Sequence, residues 1–154
     1  MFKKILIPTL LLFLSSCGYE AINSKKNSTN YNFSISEITF VGNRDINIKI
    51  KEKMNNFTSN KEGKNFVLKI SSDAKKVVLA KDAAGDPTSF KSTIIVNIEV
   101  LMENNFKKDL QVVESFNYNN DTNKFNLKRY EREIINNLAE TATEKLIYKL
   151  SNIQ

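Results

Sequence analysis

The chain of 154 residues holds one cysteine, Cys17, and no histidine. The commonest general base and the usual zinc ligands are therefore missing, and catalysis would have to rest on Ser, Lys or paired carboxylates. Glu140 and Glu144 stand one helical turn apart, but they fall off the apolar stripe of a lysine-rich segment and read as a solvated face. Gly63 and Gly85 are isolated, so no glycine-rich phosphate cradle exists. The residues disfavour an enzyme and call for no cofactor and no metal. Cations remain. Lys128, Arg129 and Arg132 gather where the last helix is expected to begin, and Lys81 and Lys91 flank Gly85-Asp86-Pro87. Exposed cations at a helix start oppose the macrodipole by about 0.3–1 kcal/mol each, and an anion bound to them and to the free N–H groups reverses that cost. The competing readings pair Arg129 with Glu133 at i,i+4, and make Lys81 and Lys91 the lysines that keep a sheet edge soluble.

Cys17 gains its meaning from what precedes it. Lys3 and Lys4 lead a run from Ile5 to Leu14 that is apolar apart from Pro8 and Thr9. That is the layout of an export signal, since ten helical residues rise only about 15 Å against a hydrocarbon core of roughly 30 Å. The following Leu14-Ser15-Ser16-Cys17 resembles the lipobox of bacterial lipoproteins, in which the cut falls before the cysteine and the thiol is diacylglyceryl-modified. The resemblance implies a membrane-anchored protein with residues 1–16 removed. A single acyl chain holds weakly and two or more hold stably, so one modified cysteine suffices. Gly18, rather than Asp, after the cysteine favours the outer membrane by analogy.

Residues 17–154 carry 21 basic and 17 acidic side chains, a mild formal charge of +4. Export and weak charge disfavour nucleic acid as a partner. An acylated Cys17 leaves no thiol for a disulfide, so packing must hold the fold alone. The length suits one domain.

Gly18 to Asn32 is polar and reads as a tether, 17–32 with its cysteine, ahead of one domain over 33–154. Phe33 to Val41 reads as a strand whose apolar parity switches between Ile35 and Ile38, the mark of a bulge or of a twisted strand. Arg44 to Phe57 is ambiguous between strand and helix, and its length favours a helix capped by Asn43 or Asp45. Phe66 to Ile70 and Val77 to Ala80 read as two short strands, and Asp82 to Thr88 as a loop. Thr93 to Met102 and Leu110 to Tyr118 read as a hairpin. Phe125 to Ile153 reads as a long helix, with Tyr130, Ile134, Leu138, Ala142, Leu146 and Leu150 at steps of four. The order predicts an α+β fold, two helices packed on one face of a mostly antiparallel sheet of about four strands.

Cys17-Gly18-Tyr19, Val78-Leu79-Ala80-Lys81-Asp82, the strand Thr93 to Met102 and the helix end Glu144-Lys145-Leu146-Ile147-Tyr148-Lys149-Leu150 together resemble the LPS-assembly lipoprotein family (LptE-like). The resemblance implies an outer-membrane lipoprotein that plugs and helps assemble the large outer-membrane β-barrel LPS-assembly protein, and binds lipopolysaccharide. It also implies that basic residues at a loop end and near the second helix meet lipid A phosphates, which here are Lys91 and Lys128, with Lys81 and Arg129 beside them. The alternatives are an auxiliary periplasm-facing lipoprotein of an ABC-type lipid transport system and a lipoprotein hydrolase with an activated serine.

Overall fold

A computed structural model describes residues 32–58, 63–102 and 107–153. The expected signal segment, Cys17 and all of the expected tether but Asn32 lie outside the described residues. Four strands, β1 (Phe33–Gly42), β2 (Lys64–Lys81), β3 (Pro87–Met102) and β4 (Lys107–Asn119), form one sheet in the order β1-β2-β3-β4. Helix α1 (Arg44–Met54), extended by a 3₁₀ turn at Asn55–Phe57, links β1 to β2, and α2 (Lys124–Ser151) follows β4. The predicted α+β architecture is the observed one.

The sheet is mixed. β1 runs parallel to β2, and β2–β3 and β3–β4 are antiparallel. A parallel pair needs a crossover, which settles the ambiguous segment after Asn43 as a helix. Ile46, Ile50 and Met54 are fully buried at helical spacing, while Ile48, which would join them in a strand, is 40% exposed. Asn43 caps this helix, its side chain accepting from Asp45 N and Ile46 N.

Register explains which face is covered. Leu68 and Ile70 on β2 lie level with Val100 and Ile98 on β3, and Val96 lies opposite Val112 on β4. All of these are buried beneath the helix layer, α1 over β1 and β2 and α2 over β3 and β4. The anticipated bulge occurs between Ile35 and Glu37, so Phe33, Ile35, Ile38 and Phe40 reach the same face despite their change of parity. Phe33 stacks on Phe57 with ring centroids 5.0 Å apart and meets Phe66 at 5.6 Å, which closes the core at the base of the sheet.

Three expectations need correction. Val77 to Ala80 is not a separate strand. It continues β2, an 18-residue strand, because the backbone ladder to β3 runs on through the polar stretch while Ser71, Asp73 and Lys75 face solvent. The Ser72 hydroxyl bonds Asn43 O and Asn47 Oδ1 there, so a buried serine does not interrupt the strand. The loop is shorter than expected, since Asp82 Oδ1 accepts from both Ala84 N and Asp86 N and Pro87 already begins β3. Tyr130 leaves the apolar stripe. It is 44% exposed and packs edge-on against Tyr118, and Leu127 is buried in the first turns instead.

Candidate functional site

Both helices start at the end of the sheet toward which β1, β2 and β4 run, so their N-termini and the β2–β3 hairpin share one end of the molecule. This hairpin forms an arm. Val78 shares a face with the buried Phe90, its partner in the ladder, yet it is 44% exposed, so the helix cover ends here. Val77 and Leu79 beside it are about half exposed as well. A register shift between Val78 and Ala80 makes Leu79 the extra residue of a bulge. Lys75 and Lys81 on β2 are exposed around these three apolar side chains. Lys81 pairs with Pro87 at the tip, and Lys91 lies half-buried opposite Val77 and Asn117 on the uncovered face.

Lys128 lies on the other side. It lines a groove of about 800 Å³ between the first turns of α1 and α2, together with Lys49, Arg132, Asp45, Glu131 and the exposed Ile48 and Phe125. Arg129 is exposed outside this groove. The structure therefore places Lys91 and Lys128 at the same end of the sheet but on opposite faces, and does not bring them together. The free N–H groups expected at the start of α2 are already used in part, because Asn123 Oδ1 accepts from Phe125 N and Asn126 N. An anion there would depend mainly on the cations. Glu131, rather than Glu133, carries the ion pair near this helix start, to Lys76.

A latch joins the arm to α2. The Lys76 ammonium sits 3.8 Å from the Phe90 ring centroid and pairs with Glu131. Tyr118 donates to the same carboxylate at 2.9 Å. Burial holds the Tyr118 phenol above its ordinary value, Ser92 opposes this through a hydrogen bond, and Glu131 adds to it. The arm is therefore fixed at its root while Val77 to Leu79 stay uncovered.

The paired acids have a structural use. Lys53 Nζ lies 2.8 Å from Glu140 Oε1 and 2.9 Å from Glu144 Oε1, clamping α1 to α2. The lysine holds the Glu140 carboxyl below its ordinary value. The serine hydroxyls with assigned partners bond Asn65, Asn47, Tyr118 and the carbonyls of Phe66, Asn43 and Tyr148. Among the described residues no group of three or more His, Cys, Asp or Glu could hold a metal ion, and no helix is long and apolar enough to cross a membrane.

Residue-type reasoning missed Lys49, Lys76 and the exposed Val77-Val78-Leu79. The four consecutive apolar residues Val77 to Ala80, between Lys76 and Lys81, were the available signal.

No protein-family model matches the chain, and no curated protein sequence does. Solved structures do. The rare lipoprotein B from Shewanella oneidensis aligns over 75% of this chain and 93% of its own, at 11% identity with a TM-score of 0.59. A minor lipoprotein from Acinetobacter baumannii aligns over 75% and 90%, at 10% identity and 0.56, and lipoprotein B from Nitrosomonas europaea over 77% and 86%, at 12% and 0.51. At these identities the likeness establishes the fold. The two-helix, four-strand domain is one that bacterial lipoproteins use.

Proposed function

We propose that this chain is an outer-membrane lipoprotein, acylated at Cys17 and tethered by residues 17–32, whose domain over 33–154 sits in a lipopolysaccharide-inserting β-barrel. It plugs the barrel, assists its assembly and helps deliver lipopolysaccharide to the outer leaflet. The lipobox-like Leu14-Ser15-Ser16-Cys17 and the fold shared with solved lipoproteins support the anchor. The observation that carries the ligand assignment is the arm, where exposed Val77, Val78 and Leu79 are ringed by Lys75, Lys81 and Lys91. Lipid A joins phosphates to acyl chains, and an exposed apolar stretch with lysines beside it offers partners to both parts. Lys128 and Arg129 supply a second, separate contact on the helix side.

Purification of the acylated full-length chain from its membrane tests the partner. A large outer-membrane β-barrel is expected to co-purify in stoichiometric amount. Recovery of the chain with an ABC-type lipid transporter and no barrel would replace this reading with the auxiliary-lipoprotein one.

A further inference from the structure

We propose that a polar depression on the uncovered face of the sheet is a saccharide site, which holds the sugar chain of the lipopolysaccharide whose lipid part meets the arm. The naming of that ligand rests on the function proposed above. The depression has a volume of about 440 Å³, within the roughly 300–1,000 Å³ of small-ligand sites. Lys69 and Ser71 on β2, Asn97 and Glu99 on β3, and Asp109 and Gln111 on β4 line it. Register sets them in two rows across three strands, Ser71-Asn97-Gln111 and Lys69-Glu99-Asp109. Their parity is opposite to that of the buried Ile70, Ile98 and Val112, so all six side chains stand on the side away from the helices. Ile98 and Leu110, which also border the depression, have the other parity and turn their side chains to the helix face.

These groups are held so that a ligand can share them. Gln111 Nε2 donates to Asn97 Oδ1 at 2.8 Å, which fixes both amides and leaves Asn97 Nδ2 to donate and Gln111 Oε1 to accept. Glu99 gives Oε2 to Lys107 at 3.0 Å and keeps its other oxygen. Glu99 and Asp109 stand directly opposite each other in the ladder, a like-charge pair that is destabilising by itself and that hydroxyl donors to the two carboxylates relieve.

The chemistry selects the occupant. The six lining side chains are all polar or charged, whereas the centre of a protein interface is apolar and poor in charge, and an acyl chain needs an apolar wall. Two carboxylates beside one lysine oppose a bare phosphate. Among the described residues no acidic group is large enough to hold a metal ion. A sugar ring donates hydroxyls to carboxylates and accepts from amides and ammonium at the same time, so it meets every group present. The arm supplies the source. Asn97 follows Lys91 on the same face of β3 by six residues, about 20 Å. Thr93, Ser115 and Asn117 line that path, so a short run of sugars leading from a lipid at Lys91 reaches the depression over hydroxyls and an amide.

Binding by the full-length acylated protein in detergent tests this with three probes: the deacylated saccharide of lipopolysaccharide, lipid A freed of its outer sugars, and a soluble peptidoglycan glycan chain. Backbone amide resonances of Ser71, Asn97 and Gln111 should shift with the deacylated saccharide and stay in place with the glycan chain. Asn97→Val with Gln111→Val puts strand-favouring residues at exposed positions. It should weaken the saccharide at least tenfold and intact lipopolysaccharide about fivefold, and leave lipid A unchanged. Equal losses for lipopolysaccharide and lipid A, no loss for either, or saccharide shifts confined to the arm overturn the proposal. Shifts of the same size with the glycan chain overturn the assignment to lipopolysaccharide. If lipid A itself does not bind, the ligand reading of the arm fails, and the deacylated saccharide still decides the depression. Far-UV circular dichroism shows whether the double variant is folded.

Discussion

The Tyr118 hydroxyl donates to Glu131 Oε1 at 2.9 Å, across the seam between the last strand and the last helix. Lys76 from the arm meets the same carboxylate, so three elements converge on one side chain. Tyr118→Phe removes the donor and should cost about 1 kcal/mol, read as a lower urea midpoint at unchanged slope. The pH dependence has a defined sign. Burial first, and Glu131 second, hold the folded phenol above the ordinary 10.0, so its contribution is complete below that value. As pH rises past it the unfolded chain loses the proton first, and stability falls. Tyr118→Phe should flatten that alkaline decline, and an unchanged slope would show that Tyr118 is not its source.

Gly42 and Gly85 separate backbone strain from steric exclusion. Both have positive φ, +96° and +91°. A Cβ on Gly42 would lie 2.0 Å from Ser72 O, whereas one on Gly85 would meet nothing within 4 Å. Gly85→Ala should cost about 1–2 kcal/mol from the left-handed conformation alone. Gly42→Ala must also push β1 from β2 where α1 begins, and should lower the thermal midpoint well beyond the Gly85→Ala shift. Equal shifts would mean that the Ser72 carbonyl yields freely.

Lys53 is a small but measurable clamp. Burial lowers its affinity for the proton, but hydrogen bonds to Glu140 and Glu144 outweigh this and raise it overall. Glu140 is held low by the same lysine, so its share of stability is present above the ordinary carboxylate value of 4.5 and is lost as pH falls below it. More than half of the Glu140 side chain is exposed, which limits the effect. Lys53→Met should therefore cost under about 1 kcal/mol at pH 7 and less at high salt. Urea titrations at pH 7 and pH 3 should differ less for the variant than for the parent.

The fold was legible where pattern and geometry share a period. Ile94, Val96, Ile98 and Val100 alternate and are all buried, and the parity switch after Ile35 marks a real bulge. The parallel pairing of β1 with β2 was not legible, because Ile46, Ile48 and Ile50 satisfy strand and helix alike until the crossover is required. The single β2 strand was hidden by Ser71 to Lys76, where Ser72 is satisfied by Asn43 and Asn47, Lys76 by Glu131, and Ser71, Asp73 and Lys75 face solvent. The lysines were found by type but not by place. Which face Lys91 occupies depends on strand register, and the cations of the α1–α2 groove meet only because the helices run side by side.

That placement makes the ligand reading testable by additivity. Lys81 and Lys91 belong to the arm, and Lys128 and Arg129 to the helix side, with the sheet between Lys91 and Lys128. Groups that share no partner and lie more than about 10 Å apart should act independently. Lys81→Glu with Lys91→Glu should weaken lipopolysaccharide binding about tenfold at low salt, corresponding to roughly 1.4 kcal/mol. Lys128→Glu with Arg129→Glu should weaken it by a comparable factor, and the fourfold variant by the product of the two. All three losses should shrink as salt is raised, because these side chains are exposed or half-exposed and screened. Titration of lipopolysaccharide micelles into each variant, with circular dichroism as the check on folding, supplies the factors. A fourfold variant no weaker than the arm variant would confine the contact to the arm, and binding unchanged in all three would remove these residues from it.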